Sequence, residues 1–224
     1  MQEKSVFLPI AEAYDRWSPS YDAYDNPMVR GASLVVERLG PALRGKSVFE
    51  FGCGTGRNLL AAKALGATQA AGCDLSSGML AQARQRGPSL RLFQHDMAQP
   101  LPLDAGSFDC ALFCLTLEHM SELVPPLAEA KRLLAPSGRI EIIEIHPYVS
   151  LGGVAAHFRL GQETVHMPTF AHGFCDYLNA CAALGLFVTA CREWRPMDFG
   201  DAATGKMLKR GADCPLLVQF TLQA

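Results

Sequence analysis

"VFEFGCGTGRN", residues 48–58, sets Gly52, Gly54 and Gly56 directly behind an apolar run. Glycine lacks a Cβ and reaches backbone conformations closed to other residues, so this spacing predicts a tight strand-to-helix turn that a ligand approaches closely. Downstream the pattern alternates. Residues 46–51, 68–74, 89–94, 108–117 and 139–147 read as strands, and residues 57–66, 77–87 and 121–138 as helices, with Gly66 and Gly87-Pro88 as stop signals. Pro125-Pro126 marks the first turn of the last of these helices or a break before it. Strands alternating with helices at this spacing imply βαβ units, hence a mainly parallel sheet with helices on both faces.

Upstream, residues 26–40 show helical apolar spacing that ends at Gly40-Pro41. Residues 146–170 interrupt the alternation. They carry Gly152-Gly153 and three histidines where a simple repeat needs only a short connection, so an insertion is expected there, at a strand end where function concentrates. A helix over 174–185 and strands over 186–194 and 215–222 complete the pattern. No linker or charge run divides the 224 residues, which predicts one domain, 1–224.

Apolar residues make up 49% of the chain and charged residues 19%, with a net charge of -2, which argues against disorder and against a nucleic-acid partner. The eight cysteines lie mostly in apolar segments and form no C-x-x-C pair; reduced buried thiols are expected, with no metal site. The first residues lack a secretory signal pattern, and no apolar stretch approaches the roughly 20 residues of a membrane span. A cytoplasmic protein with no membrane partner is therefore expected.

A glycine-rich turn between the first strand and first helix of such a sheet holds a ligand over the strand's carboxyl end, facing backbone N–H groups. A dinucleotide fingerprint reads G-x-G-x-x-G, whereas here the spacing is G-x-G-x-G, with Arg57 where the third glycine belongs. Asp74 closes the second strand. There an acceptor-only carboxylate takes hydrogen bonds from both hydroxyls of a ribose, or caps the helix that starts near Ser76. Asp96, after the third strand, is placed to accept from an exocyclic amine, with the Met97 N–H serving a ring nitrogen.

Taken in order, "VFEFGCGTGRN", "GCDLSSGML" (72–80), "FQHDMAQPLPLDAGSFDCALFCLTLEHM" (93–120) and "LAPSGRIEIIE" (134–144) resemble the successive motifs of the class I S-adenosylmethionine-dependent methyltransferases. The resemblance covers residues 46–145. It implies an α/β, doubly wound, mainly parallel seven-stranded sheet with an antiparallel last strand, a Rossmann-like methyltransferase fold in which 186–194 and 215–222 pair. It also implies S-adenosyl-L-methionine as cofactor and S-adenosyl-L-homocysteine as product. Gly52, Gly54 and Gly56 would line the methionine and ribose portion, Asp74 would bind the ribose, and Leu75, Met79 and Met97 would enclose adenine. Asp96 would reach the adenine amine, and Leu115 would close over the cofactor. "YDRWSPSYDAY", residues 14–24, resembles a segment that folds an aromatic residue over the methionine end, with Tyr14, Trp17 and Tyr21 as candidates. On this reading residues 1–45 form an N-terminal helical cap and residues 146–170 a substrate cover.

Transfer of a sulfonium methyl requires chiefly an acceptor aligned opposite sulfur, and a base where that acceptor is a hydroxyl or a protonated nitrogen. Histidine suits that task near neutral pH. His146, at the end of the fifth strand, is the first candidate and His172 the second. His119, His157, Arg159 and His166 are candidate substrate ligands, the arginine because its fork matches two carboxylate oxygens; Glu118-His119 equally reads as a helix start. The expected activity is methyl transfer to an oxygen or nitrogen of a small-molecule metabolite, by a monomer or homodimer. Two alternatives stay open: a non-catalytic cofactor-binding homologue, and a nicotinamide-dependent oxidoreductase, which needs the glycine that Arg57 replaces.

Overall fold

The computed structural model describes residues 4–153 and 155–224; residues 1–3, in the expected cap, and Val154, in the expected cover, lie outside the described residues. In chain order the elements are β1 (Lys4–Phe7), α1 (Ile10–Trp17), α2 (Pro27–Arg38), α3 (Gly40–Leu43), β2 (Ser47–Phe51), α4 (Arg57–Ala64), β3 (Gln69–Asp74) and α5 (Ser77–Arg86). There follow β4 (Arg91–Gln94), β5 (Phe108–Cys114), α6 (Val124–Leu133), β6 (Leu134–Ile145), α7 (Pro147–Ser150), β7 (His157–Leu160), β8 (Glu163–His166), α8 (Phe174–Leu184), β9 (Phe187–Trp194) and β10 (Leu217–Gln223).

Seven strands form the main sheet in the order β4-β3-β2-β5-β6-β10-β9. The first five run parallel, and β10 is antiparallel to both β6 and β9. The expected fold class is therefore observed. Successive side chains of a strand point to opposite faces, and the central strands are apolar on both. Phe49, Phe51, Ala111 and Phe113 face one core with Leu127 and Leu133 of α6 and Ala180 of α8. Val48, Cys110 and Leu112 face another with Val35 and Val36 of α2. The acids that interrupt β6 are paired: Glu144 accepts from the N–H groups of Thr116 and Leu117 at 2.9 and 2.8 Å, and Glu141 accepts from Gln219 and Thr221 of β10.

Two local expectations are corrected. The helix expected over 121–138 stops at Leu133, because Pro136 carries no N–H and disfavours helical backbone at Ala135; the chain is already extended at Leu134. The segment 146–170 is also more regular than its sequence suggests. After the short α7 it forms the hairpin β7–β8, whose turn places Gly161 at φ 62°. Strand β1, which was not expected, adds parallel to β8, from Lys4 opposite Glu163 to Phe7 opposite His166. Helix α1 packs beneath this three-stranded sheet through Ala13 and Trp17, against Met79, Phe158, Val165 and Met167. Residues 4–24 and 155–169 thus build one cover, while α2 and α3, expected in the cap, belong to the layer beside the main sheet.

Candidate functional site

The carboxyl ends of β2, β3, β4 and β5 open under this cover. The turn after β2 takes left-handed backbone at all three glycines, with φ 68° at Gly52, 51° at Gly54 and 74° at Gly56. Their surroundings differ. A Cβ on Gly52 would lie 2.1 Å from Thr116 Oγ1, and one on Gly56 would lie 3.1 Å from Ala83 and Leu90, whereas a Cβ on Gly54 would meet nothing within 4 Å. Gly52 and Gly56 are therefore packing glycines, and Gly54 alone faces open space. Gly56 is also the N-cap of α4. The first helical residue, Arg57, turns from the cleft toward the cover, 3.6 Å from Asp22 and over the ring of Tyr21.

Asp74 ends β3 and accepts from the Gly54 N–H and the Ser76 N–H, both at 2.8 Å. Burial pushes its carboxyl above the usual value, against those two donors. The N-cap of α5 is Ser76, whose Oγ accepts from Met79 N–H and donates to Asp15 of α1 at 2.6 Å. Asp15 also accepts from Gly78 N–H at 2.7 Å, so a carboxylate of the cover sits on the N-terminus of α5. A second clasp joins Asp22 to Arg86 at 2.5 Å and to the Thr55 hydroxyl at 3.1 Å.

Under the cover lie two cavities. The cleft, about 90 Å³, is lined by Tyr14, Tyr21, Gly54, Asp74, Leu75, Met79, Asp96, Met97, Leu115 and His119. It thus gathers nine of the twelve residues expected to hold a cofactor; Gly52, Gly56 and Trp17 do not line it. Ile10, His95, Thr116 and Met120 line it as well, although none has a marked sequence signal. The chamber, about 510 Å³, is lined by Tyr14, Trp17, Tyr21, Tyr24, Met28, Leu115, Glu118, Ile145, His157, Lys209, Arg210 and Leu216 among others. Tyr14, Tyr21 and Leu115 line both cavities and form the wall between them. Leu115 holds φ 52°, a rare conformation for a non-glycine residue, which places strain at that wall.

The histidines distribute differently from expectation. His146 caps α7: its Nδ1 accepts from Tyr148 N–H at 3.1 Å, so its proton lies on Nε2, which meets Glu193 at 3.1 Å. Both ring nitrogens are engaged, and the residue lines neither cavity. His172 donates from Nε2 to the Met120 carbonyl at 2.8 Å and packs on Tyr177, again away from both cavities. His119 belongs to the cleft. Its Nδ1 donates to the Pro168 carbonyl at 2.8 Å, which leaves Nε2 to accept from the Tyr14 hydroxyl at 2.7 Å. Burial lowers the imidazole's pKa and raises that of the phenol, so both stay neutral. His157 lines the chamber, while His166 stacks on it without lining either cavity, and Arg159 is exposed on β7.

Glu118, left out of the expected ligands, lines the chamber, and its carboxylate has no hydrogen-bond partner among the described residues. Surrounding protein pushes its pKa to about 7. Nearby Glu144 is pushed to about 8 by its own burial first and by Glu118 second. An acid breaking the apolar run "LTLEHM" after β5 was the available signal. Among the described residues, no helix is long and apolar enough to cross a membrane.

Residues 49–142 match the family described as "Methyltransferase domain". The malonyl-[acyl-carrier protein] O-methyltransferase of Alcanivorax borkumensis is 32% identical over 201 residues, 88% of this chain and 62% of that protein. The demethylmenaquinone methyltransferase of Clavibacter sepedonicus is 32% identical over 145 residues, 64% of this chain and 58% of that protein. The chain thus spans less than two thirds of either relative. The S-adenosylmethionine-dependent methyltransferase of Mesorhizobium loti superposes with a TM-score of 0.70 at 21% identity, over 85% of this chain and 96% of that one, a likeness of fold. The turn, the acids at the ends of β3 and β4 and most of the sheet thus fall within residues 49–142, the segment that matches a methyltransferase domain, on a sheet whose fold resembles that of solved S-adenosylmethionine-dependent methyltransferases.

Proposed function

We propose that the chain binds S-adenosylmethionine in the cleft and methylates an oxygen or nitrogen of a small molecule held in the chamber. The observation that carries this reading is the shared wall of Tyr14, Tyr21 and Leu115, where two differently lined cavities meet. The cleft fits the cofactor chemically. Gly54 leaves a cradle that any side chain would fill, Asp74 offers an acceptor-only group to vicinal hydroxyls, and Leu75 exposes 42% of its surface beside Met79 and Met97 as an apolar slot for a planar base. Asp96 stands at the slot's edge. When bound, the cofactor supplies an electrophilic sulfonium methyl group. The protein's own part is positioning: Tyr14, oriented by His119, and Tyr21 hold the junction and exclude water. The cleft is narrower than the roughly 300 Å³ of ordinary ligand pockets, so these rings must shift for a nucleoside to enter.

Glu118 is the base this geometry favours, in place of His146 and His172. Its carboxylate is free, lines the acceptor chamber, and near neutral pH takes a proton from a hydroxyl as that oxygen attacks, or from an ammonium before its nitrogen attacks. The demethylmenaquinone methyltransferase supports a small-molecule acceptor by analogy, and the net charge of -2 gives nucleic acid no electrostatic footing.

Calorimetry with S-adenosylhomocysteine tests the first half: heat is expected with it and none with NADH, and saturation by NADH alone sinks the reading. Transfer from isotope-labelled cofactor into a fractionated extract, read by mass spectrometry, then identifies the acceptor. With that acceptor, kcat/KM should rise through an ionisation near pH 7, and Glu118→Gln should lower kcat about 100-fold and abolish that ionisation.

A further inference from the structure

The chamber's lining changes character from its inner wall to its rim, and this bears on the class of acceptor, given the reading above. Inside, Trp17, Tyr21, Met28 and Leu216 present aromatic and apolar surface, with the exposed ring of Tyr24 beside them. At the rim stand Lys206, Lys209 and Arg210, from the connection between β9 and β10. Lys206 is already neutralised, its Nζ 3.0 Å from both the carboxylate and the carbonyl of Asp25. Lys209 and Arg210 are exposed and have no acid partner among the described residues. They are nevertheless held in place. Their short 3₁₀ turn, Met207–Arg210, is anchored by Met207, which is 1% exposed and belongs to the core beneath α2.

We infer that the acceptor is an amphipathic anion, with an aromatic or otherwise apolar body inside the chamber and a carboxylate or phosphate at the rim between Lys209 and Arg210. Two adjacent cations, one with the planar fork that matches paired oxygens, give an anion a place that the apolar interior denies it. The opposite orientation is disfavoured, because the inner wall carries Glu118 and a negative group there meets a like charge. The nucleophilic end therefore points inward, to the shared wall, and the anionic end outward.

Two dyes of nearly the same shape test this with S-adenosylhomocysteine kept saturating, so that the cleft is filled: 8-anilinonaphthalene-1-sulfonate, an anion, and N-phenyl-1-naphthylamine, its neutral counterpart. The anion should bind about tenfold tighter than the neutral dye, and the Lys209→Ala/Arg210→Ala double variant should remove that advantage while leaving the neutral dye within about twofold. Both side chains are exposed, so the variant is expected to fold; its unchanged affinity for S-adenosylhomocysteine verifies that. Displacement of the sulfonate by phenyl phosphate and by benzoate then tells phosphate from carboxylate. Equal loss of both dyes, no loss of either, or equal displacement by benzyl alcohol overturns the inference and leaves Lys209 and Arg210 as solvated surface charges. Failure of S-adenosylhomocysteine to bind the unmodified protein strikes the proposed function instead, and the dye comparison still reads the chamber without it.

Discussion

The two walls of the site are built in opposite ways. The floor is contiguous in sequence: the turns that follow β2 to β5 put backbone groups where each strand ends, with Asp74 and Asp96 at two of them, so its geometry follows from local chain direction. The cover joins residues 4–24 to 155–169 through the pairing of β1 with β8, and its grip on the floor depends on a few side chains, chiefly Asp15 and Asp22. Backbone geometry thus sets what the floor holds, and side chains set how tightly the cover closes and what the chamber admits.

Substitutions should separate the two. The largest effect is expected within the floor at Gly52→Val, whose Cβ would strike Thr116 on left-handed backbone; it should destabilise by about 4 kcal/mol or more in a urea melt. Gly54→Ala shares the left-handed φ but meets no atom, so it should cost only about 1 kcal/mol, with its main effect on cofactor affinity. Similar costs at both positions would mean that the contrast between packing and open glycine is wrong. Next, Asp74→Ala should weaken S-adenosylhomocysteine about 100-fold by calorimetry, because two hydroxyls lose a charged acceptor.

For the cover, Asp15→Ala should weaken the same ligand about tenfold, since it removes a charged acceptor at a helix N-terminus worth about 1 kcal/mol. Hydrogen exchange should quicken in β1, β7 and β8 and not in the main sheet; equal quickening in both would make cover and floor one cooperative unit. A pH slope concerns both walls. Burial raises Glu50 and Glu144 to about 8, so the folded state keeps protons that an unfolded chain releases from about pH 5 upward. Stability should therefore be fullest below that range and fall as pH rises to about 8. Glu50→Gln should flatten the slope in thermal melts, and a slope of opposite sign would show that these acids are ionised in the fold. Both acids stand in the main sheet, so the cover's exchange should not follow it.

What was legible in the sequence follows the same division. Gly54, Asp74 and Asp96 could be found because a strand, a tight turn and a helix leave a local periodic trace. The small sheet of the cover leaves none. Its strands are four residues long, too short for alternation to stand out, and β1 meets its partner only in three dimensions. His146 shows the limit differently: its position at a strand end was readable, but the direction of its ring was set by the Tyr148 N–H and Glu193, which sequence spacing does not reveal. Glu118 was passed over because an acid after a strand has the same spacing whether it caps a helix or faces a cavity.

The parallel seam between β1 and β8 also orders events at the ribosome. Strand β1 is made about 160 residues before β8, roughly eight to thirty seconds at about 5–20 residues per second. Through that interval the Lys4–Phe7 segment waits without a neighbour while the strands of the nascent floor are extruded one after another. Strand β1 therefore meets its partner only after five strands of the main sheet have been made, with β9 and β10 still to come.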